Sequence, residues 1–354
     1  MKAQNSELLT ANGAACYADR TVMVTGAGGS IGLALCHRLL ACGPRRIVLF
    51  EISEYALYEA ERALLAAADR VEIIAVLGSV TEPRLVRRTL AHWGVEIILH
   101  GAAYKHVPMV EVNPMVGIVN NVLGTQRLAE QALQARVDRF VLLSTDKAVR
   151  PVSVMGASKR LAELVVQDLA RRGGGTRFAT VRFGNVWGSS GSVVPLFREQ
   201  IAQGGPVTVT HPSAERYFIS SDAATALVLE AGALAEGGET FLPDMGAPMR
   251  IMDLAREMIA ELAPRGDVPI VVSGLRPGEK LQEDLSLTAT RTPTAHPELS
   301  LACEPGLTAQ ETAVALRQLR EAFVADSDDM VRAVIARWVE ARAEPDTEAV
   351  RLTS

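Results

Sequence analysis

The chain has 354 residues, of which 48% are hydrophobic, 22% charged and 5% aromatic, a composition that excludes a disordered or collagen-like protein. Its formal net charge of −5 does not favour binding to nucleic acid, and no apolar run approaches the roughly 18 residues of a membrane span. The N-terminus lacks the apolar core of a signal peptide, and the cysteines show no metal or redox spacing. We therefore expect a cytoplasmic protein without a metal site.

After a lead-in of residues 1–20, short apolar segments alternate with helical ones. The predicted strands lack clear polar alternation, as strands buried on both faces do, and comprise 21–25, 46–50, 71–77, 97–100, 140–144 and 178–182. The predicted helices comprise 31–41, 55–67, 83–93, 118–135 and 158–171. Strands separated by helices predict an α/β fold with a doubly wound parallel sheet of the Rossmann type.

The pattern changes after residue 182. Residues 184–191 are rich in Gly and Ser, and turn signals at 204–206 and 211–212 indicate short elements with longer connections. We predict a cofactor-binding domain over 21–187, a smaller interleaved substrate-binding lobe over 188–300 and a C-terminal helical extension over 301–354.

The second C-terminal helix carries one apolar stripe, made of Val331, Val334, Ile335, Trp338 and Val339. Asp326 and Ser327 are the candidate N-caps of this helix. Packing of the stripe against the body of the protein is expected, and a partner interface is the alternative.

A glycine-rich segment connects the first predicted strand to the first predicted helix. Gly26, Gly29 and Gly32 form a G-x-x-G-x-x-G pattern, and Ser30 and Ile31, between the last two glycines, are further candidate cofactor contacts. Glycine adopts the angles of a tight turn at low cost, and it lets a pyrophosphate approach the N–H groups of the helix N-terminus. The strand–turn–helix context predicts a dinucleotide site.

An acidic residue follows at the end of the second strand. Glu51 lies 19 residues after Gly32, where a carboxylate accepts hydrogen bonds from the adenosine ribose. No Arg or Lys follows closely to meet a 2′-phosphate, so NAD is favoured over NADP. The alternative is that Glu51 only caps or solvates a loop.

The fifth predicted strand brings polar residues to its C-terminal end, where ligands bind in open α/β sheets. These residues are Thr145, Asp146 and Lys147, and Lys159 follows twelve residues after Lys147 on the first turns of a helix. A lysine there can reach a nicotinamide ribose and hold positive charge near a reacting oxygen. In isolation, the Asp146–Lys147 pair would be interpreted as an exposed ion pair.

With these motifs the chain resembles the extended short-chain dehydrogenase/reductase superfamily, and more closely the UDP-N-acetylglucosamine 4,6-dehydratases of bacterial polysaccharide and glycan biosynthesis. The resemblance covers roughly residues 20–290. The features that narrow it are 102–108 (AAYKHVP), 120–125 (NNVLGT), 144–148 (STDKA), 181–189 (VRFGNVWGS), 216–218 (RYF) and 275–281 (LRPGEKL).

The resemblance implies an internal redox dehydration of a UDP-sugar with NAD as cofactor, in which hydride leaves C4 and returns to C6. It implies that Lys147 removes the C5 proton, that Asp146 protonates the leaving 6-hydroxyl, and that Thr145 bonds O4. Lys159 then holds the ribose and favours the oxyanion. The roles require a neutral lysine and a protonated aspartate.

The resemblance also implies further binding residues. Cofactor contacts are expected from Ser53, Ser79, Val80, Ala102 and Ala103, where Ser79 replaces an Asp that often contacts adenine in the superfamily. Substrate contacts are expected from Lys105, His106, Asn185, Arg216, Arg276 and Glu279. Arginines match phosphate oxygens, whereas His106 is equally well interpreted as a core histidine.

One position departs from the superfamily pattern. Met155 occupies the place of the catalytic Tyr, four residues before Lys159, and a thioether cannot accept a proton from a sugar hydroxyl. Either activity is lost, or Thr145, Asp146 and Lys159 carry the step, with or without water. A subset of these dehydratases is similar in having Met there.

Several alternatives stay open at this level. A nucleotide-sugar 4-epimerase of the same fold and a non-catalytic dinucleotide sensor are the rival functions. UDP is inferred from resemblance, so GDP and dTDP remain alternatives, and retention or inversion at C5 is undecided. Homo-oligomers are expected because they are common for this fold. Many close relatives carry an N-terminal membrane region. No such region is found in this sequence, so the chain is expected to be a free-standing soluble form.

Overall fold

The computed structural model describes residues 8–264 and 266–339. Its strands are β1 (Thr21–Thr25), β2 (Arg46–Glu51), β3 (Glu72–Leu77), β4 (Ile97–His100), β5 (Arg139–Thr145), β6 (Arg177–Phe183), β7 (Asn185–Val186), β8 (Val207–Val209), β9 (Glu215–Arg216), β10 (Phe218–Ile219), β11 (Glu239–Pro243), β12 (Met249–Arg250), β13 (Ile270–Val272), β14 (Arg291–Pro293) and β15 (Leu299–Ala302).

Its α-helices are α1 (Ala11–Ala15), α2 (Ser30–Ala41), α3 (Glu54–Ala67), α4 (Pro83–Trp93), α5 (Val107–Glu111), α6 (Pro114–Ile118), α7 (Thr125–Gln134), α8 (Val154–Arg172), α9 (Val193–Ala202), α10 (Ser221–Leu234), α11 (Ile251–Leu262), α12 (Ala309–Val324) and α13 (Asp328–Trp338). A π-helical turn spans Val119–Gly124 and a 3₁₀ turn spans Asp146–Ala148.

The main sheet has nine strands in the order β14-β15-β11-β6-β5-β4-β1-β2-β3. The seven strands β11, β6, β5, β4, β1, β2 and β3 pair in parallel. The strands β15 and β14 add antiparallel pairs at the edge next to β11. This is the predicted Rossmann-type architecture. The strand order reverses between β1 and β4, which is where such sheets bind ligands beyond their carboxyl ends.

Helices cover both faces of the sheet, which explains why its strands lack polar alternation. All five residues of β1 are buried. Met23 packs into a core with α7, α8, α12 and α13, whereas Val22 and Val24 pack into a second core on the opposite face with α2, α3 and α10. Since both neighbouring layers are apolar, both faces of each central strand must be apolar as well.

The structure differs from the sequence prediction near the N-terminus. Residues 8–20 are not a patternless lead-in, because Thr10 caps α1 and the Tyr17 side chain is fully buried. The Tyr17 hydroxyl donates to the Leu229 carbonyl at 2.7 Å, and the Thr10 amide donates to Glu230 at 2.9 Å. These partners lie more than 200 positions away, so no local pattern signals them.

Two helices also differ from prediction. The helix expected over 118–135 is interrupted by the π-helical turn before α7 begins. The helix expected over 158–171 begins earlier, at Val154, because the Ser153 side chain accepts a hydrogen bond from the Gly156 amide at 3.0 Å. Met155 and Lys159 therefore share the first turns of α8.

At the C-terminus, Ser327 caps α13 and its side chain accepts from the Met330 amide, whereas Asp326 has a φ of 49°. The apolar stripe packs against the body of the protein as predicted, since Val331, Val334 and Trp338 join the core that contains α8. Residues 340–354 of the predicted extension lie outside the described residues.

Residues 188–300 contain the small two-stranded pairs β8–β13 and β9–β12 and contribute β10 to a third pair with β7. Phe197, Val207 and Leu254 belong to a separate apolar core there, while β11 returns to the main sheet. Within residues 8–264 and 266–339, no helix combines the length and apolarity needed to cross a bilayer, and no cluster of side chains suits a metal ion.

Candidate functional site

A pocket of about 270 Å³ lies at the carboxyl ends of the strands, beside the switch point. Most of its lining residues lie at or just after the carboxyl ends of the four neighbouring strands β4, β1, β2 and β3. The lining comprises Gly26, Gly28, Gly29, Phe50, Glu51, Ile52, Ala56, Gly78, Ser79, Val80, Gly101, Ala102, Ala103, Tyr104 and Asn120. The predicted cofactor residues Ser79, Val80, Ala102 and Ala103 therefore converge with the glycine loop.

The glycine loop needs its glycines for two physical reasons. Gly26 has a φ of +69°, which favours glycine. A Cβ on Gly32 would overlap the Gly26 carbonyl oxygen, so the helix can begin this close to the turn only without a side chain. A Cβ on Gly28 would lie 2.6 Å from that of Ala56, which indicates close approach of α3 as well.

Glu51 links the second strand to the glycine loop. Its Oε2 accepts from the Gly28 amide at 3.1 Å, and its Oε1 accepts from the Ile52 and Ser53 amides at 2.9 and 3.0 Å. The carboxylate thus caps its loop, as the structural alternative predicted, and it also lines the pocket. The Ser53 hydroxyl caps α3 by accepting from Ala56 and is absent from the pocket lining.

The polar residues after β5 form one hydrogen-bonded cluster. Asp146 Oδ1 accepts from the Thr145 hydroxyl at 2.9 Å and from Lys147 Nζ at 2.9 Å. Lys147 Nζ also donates to Asn185 Oδ1 at 3.1 Å. The Asp146 side chain is 0% exposed and its Oδ2 has no partner among the described residues. The alternative of an exposed ion pair is therefore wrong.

Lys159 contacts β5 just before this cluster. Its Nζ donates to the Leu143 carbonyl at 2.6 Å, and burial lowers its pKa to about 8, an effect that Glu163 partly opposes. Met155 is buried one turn earlier on α8. Gly156 follows Met155, and a Cβ on Gly156 would overlap the Lys147 carbonyl oxygen, so α8 packs directly against the 3₁₀ turn.

A buried set of four charged side chains braces this region, and sequence reasoning missed it. Arg182 donates to Glu163 at 2.7 Å and to Glu304 at 2.7 Å, and Arg160 pairs with the same two carboxylates at 2.9 and 3.1 Å. Glu163 also accepts from the Ser144 hydroxyl at 2.6 Å, next to the Thr145–Asp146–Lys147 cluster. The signal in the sequence is Arg182, a charged residue within an otherwise apolar strand, which is typical of a buried ion-pair network.

A second missed feature is a buried chain of hydrogen bonds through His100. The Thr125 hydroxyl donates to the Asn121 carbonyl at 2.7 Å, so it accepts from His100 Nε2 at 2.8 Å. In a neutral ring Nδ1 then accepts from the Thr25 hydroxyl at 2.7 Å, and Thr25 in turn accepts from the Ala102 amide at 3.3 Å. The partners thus place the single proton of the neutral ring on Nε2.

Burial explains that neutral state. It lowers the pKa of His100 to about 3, with a further contribution from the positive charge of Lys159. The ring joins the strand that precedes the glycine loop to Thr125, which begins α7 directly after the π-helical turn. There Asn121 Nδ2 donates to the Tyr104 carbonyl at 3.0 Å and to the Ser158 hydroxyl at 2.9 Å.

Lys105 and His106 meet the loop of residues 188–191. Lys105 Nζ donates to the Ser190 carbonyl at 2.7 Å, while the Ser190 amide donates to the Ser30 hydroxyl at 3.0 Å. Burial lowers the pKa of Lys105, and burial together with the charge of Lys105 lowers the pKa of His106. Ser30 is placed at this loop and, like Ile31, is absent from the pocket lining.

Three further substrate candidates, Arg216, Arg276 and Glu279, form hydrogen bonds or ion pairs with other residues of 215–281. The buried Arg216 guanidinium donates to the carbonyls of Glu215, Lys280 and Leu281 at 2.7, 2.8 and 3.0 Å. Arg276 pairs with Glu279 at 2.7 Å. The Arg216 contacts hold residues 280–281 against β9, whereas the Arg276–Glu279 contact lies within the segment 276–281.

A family model described as "Polysaccharide biosynthesis protein" matches residues 22–304. The capsular polysaccharide biosynthesis protein CapD of Staphylococcus aureus is 46% identical over 269 residues, which make up 75% of this chain but 45% of that protein. The chain thus spans about half the length of this relative.

Two relatives of lower identity are matched over most of their length. The UDP-N-acetylglucosamine 4,6-dehydratase (inverting) of Campylobacter jejuni is 33% identical over 273 residues, or 75% of this chain and 77% of that protein. The UDP-glucose 4-epimerase of Rickettsia rickettsii is 33% identical over 275 residues, or 76% and 78%. The solved structure of Pen from Bacillus thuringiensis has a TM-score of 0.74 and 27% identity, covering 85% of this chain and 98% of that one.

Proposed function

The chain belongs to the polysaccharide biosynthesis protein family of extended short-chain dehydrogenases/reductases, and we propose that it catalyses the 4,6-dehydration of UDP-N-acetylglucosamine. The product is a UDP-4-keto-6-deoxy-N-acetylhexosamine. The observation that carries the proposal is the Asp146–Lys147 pair, which lies at the end of β5 with a buried carboxylate and an amine bonded to it. The similarity to the C. jejuni dehydratase supports the same assignment.

The residues that line the pocket beside the switch point suit the binding of NAD. Gly26 and Gly32 keep the strand–helix turn clear of side chains, which suits close approach of a pyrophosphate to the start of α2. The Glu51 carboxylate lines the same pocket, where it suits the adenosine ribose hydroxyls. When bound, NAD supplies a reversible hydride acceptor for C4 and donor for C6. Lys159 is the residue we assign to its nicotinamide ribose.

Asp146 and Lys147 suit the two proton transfers of the dehydration. Lys147 in its neutral form accepts the C5 proton. Asp146 Oδ2 carries the proton for the departing 6-hydroxyl, since Oδ1 already accepts from Thr145 and Lys147 while Oδ2 has no partner among the described residues. A protonated carboxyl group in a buried position avoids the cost of an unpaired charge.

The first proton transfer has no tyrosine to perform it, because Met155 occupies that place. We assign deprotonation of the 4-hydroxyl to Thr145, Asp146 and Lys159, through water where the distance requires it. Since its pKa is about 8, Lys159 exchanges protons near neutral pH more readily than an exposed lysine. Its positive form stabilises the oxyanion at O4.

The first test is incubation with UDP-N-acetylglucosamine, followed by mass spectrometry. Loss of one water supports dehydration. An unchanged mass with a new sugar supports the 4-epimerase, which the R. rickettsii relative favours, and no change with tight NAD binding supports a dinucleotide sensor. An epimerase needs no base at C5, so the Asp146–Lys147 pair favours dehydration. NMR of the product then determines retention or inversion.

The second test replaces the C5 base. Lys147→Ala is expected to abolish exchange of the C5 proton with deuterated water while NAD still binds. Lys147→Arg is the matched control, because arginine keeps the charge beside Asp146 but does not deprotonate. Turnover at the wild-type rate in either variant refutes the base assignment.

A further inference from the structure

We propose that Asn185 is a positioning residue that orients the Lys147 amine for abstraction of the C5 proton. This inference rests on the proposed dehydratase function. It goes beyond that function because it states that Asn185, on β7, sets the orientation of the Lys147 amine. Sequence reasoning expected Asn185 to contact a phosphate or a sugar hydroxyl instead.

The argument begins with the hydrogen bonds of Lys147 Nζ. It donates to Asp146 Oδ1 at 2.9 Å and to Asn185 Oδ1 at 3.1 Å. A neutral primary amine has two N–H bonds and one lone pair. When both N–H bonds point at these two acceptors, the lone pair must point away from both of them. Two acceptors thus fix the direction of the basic electron pair, whereas Asp146 alone leaves the amine free to rotate.

The orientation of the Asn185 amide follows from the same contact. An ammonium or amine N–H donates, so the side-chain oxygen of Asn185 must face Lys147. The two N–H bonds of the amide have no acceptor among the described residues.

The backbone that carries Asn185 is itself held firmly. The Asn185 amide donates to the Tyr217 carbonyl at 2.9 Å, and β7 pairs in parallel with β10. A Cβ on the preceding Gly184 would lie 2.8 Å from the Tyr217 carbonyl oxygen, so the two segments approach closely. The direction of the base therefore depends on the pairing of β7 with β10, a strand of the predicted substrate-binding lobe.

Two substitutions separate positioning from simple substrate binding. In Asn185→Ala we expect C5 proton exchange at saturating UDP-N-acetylglucosamine to slow by about 10–100-fold, since misdirected catalytic groups lose about that factor. The KM and the single-turnover oxidation at C4, followed by the absorbance of NADH, are expected to change much less. Asn113→Ala is the control, because Asn113 lies in an exposed turn and bonds the Met109 carbonyl.

Asn185→Asp keeps an oxygen facing Lys147 and adds a negative charge. Its added carboxylate favours the ammonium form of Lys147, whose Nζ also stays bonded to the protonated Asp146. The pH profile of C5 exchange is then expected to move to higher pH by about one unit, with the rate recovering at alkaline pH. A residue that only binds substrate would not move this profile.

The outcomes distinguish this inference from the function on which it rests. If wild-type protein exchanges C5 and Asn185→Ala raises only the KM, or Asn185→Asp leaves the pH profile unchanged, Asn185 does not position the base while the dehydratase function stands. If wild-type protein oxidises C4 without C5 exchange, both proposals are overturned. Thermal unfolding and NAD titration of each variant identify misfolding, and Asn185→Asp supplies the answer if Asn185→Ala does not fold.

Discussion

Acidification from pH 7 to pH 5 should destabilise this protein through His100, whose ring is buried and neutral between two threonine hydroxyls. Burial lowers the pKa of His100 to about 3 in the folded protein. In the unfolded chain the ordinary value is about 6.5. Between those values the unfolded chain binds a proton that the folded protein does not. Stability therefore falls as the pH drops below 6.5, and the loss is complete below about 3.

The size of the effect follows from the two pKa values. Their difference corresponds to about 5 kcal/mol when fully expressed, of which about 2 kcal/mol is lost at pH 5. Carboxylates contribute little in this interval, because the lowered pKa of Glu304, about 2, affects stability only at lower pH. Burial and the charge of Lys105 also lower the pKa of His106, but His106 is present in both proteins to be compared.

The assay is urea unfolding of wild-type protein and His100→Gln at pH 7 and pH 5. Glutamine keeps an N–H donor for Thr125 but does not titrate. The variant is expected to be less stable at pH 7, and its deficit should shrink by about 2 kcal/mol at pH 5. His37→Gln, at an exposed position of α2, is the control and should retain the wild-type pH dependence. Equal losses in wild type and His100→Gln would refute the reasoning.

Three further predictions concern packing. Gly32→Ala should lower the free energy of unfolding by about 1–3 kcal/mol and weaken NAD binding in calorimetric titration, because its Cβ overlaps backbone. Gly266→Ala, with its nearest atom at 3.5 Å, should do neither, and equal behaviour of the two would contradict the crowding argument. Arg182→Met removes one of the two arginines that pair with the buried Glu163 and Glu304 carboxylates and should cost about 3–5 kcal/mol in urea unfolding, whereas a neutral result would show that the network relaxes. Trp338→Ala should cost about 3–5 kcal/mol in the same assay, and a loss below about 1 kcal/mol would mean that α13 contributes little to the core.

The proposed catalytic cluster of Thr145, Asp146 and Lys147 and its surroundings are assembled from distant parts of the chain. Arg182 and Glu304 are separated by 122 positions, yet their contact lies beside the strand that carries Ser144. Ser144 is followed directly by the residues assigned to catalysis. Glu304, which follows the antiparallel strand β15, therefore helps to hold the Arg182–Glu163 pair beside β5. The side chains of Arg182 and Glu304 are both buried.

The family resemblance and the Rossmann-type sheet were determined by the sequence alone. Apolar runs without alternation reveal strands covered on both faces, and a glycine pattern between a strand and a helix reveals the nucleotide-binding turn, because both signals are local. Glu51 was likewise found by spacing, and the structure places it on the pocket. The domain boundaries and the roles of the site residues stay predictions.

Tertiary structure decided what no local pattern carries. The burial of Tyr17, the neutral state of His100 and the Arg182–Glu304 contact all depend on partners far away in the chain. Asn185 reaches Lys147 across 38 positions because β6 is paired with β5 and β7 with β10. Sequence periodicity shows which face of an element is buried, but strand pairing and packing determine which side chains meet at its end.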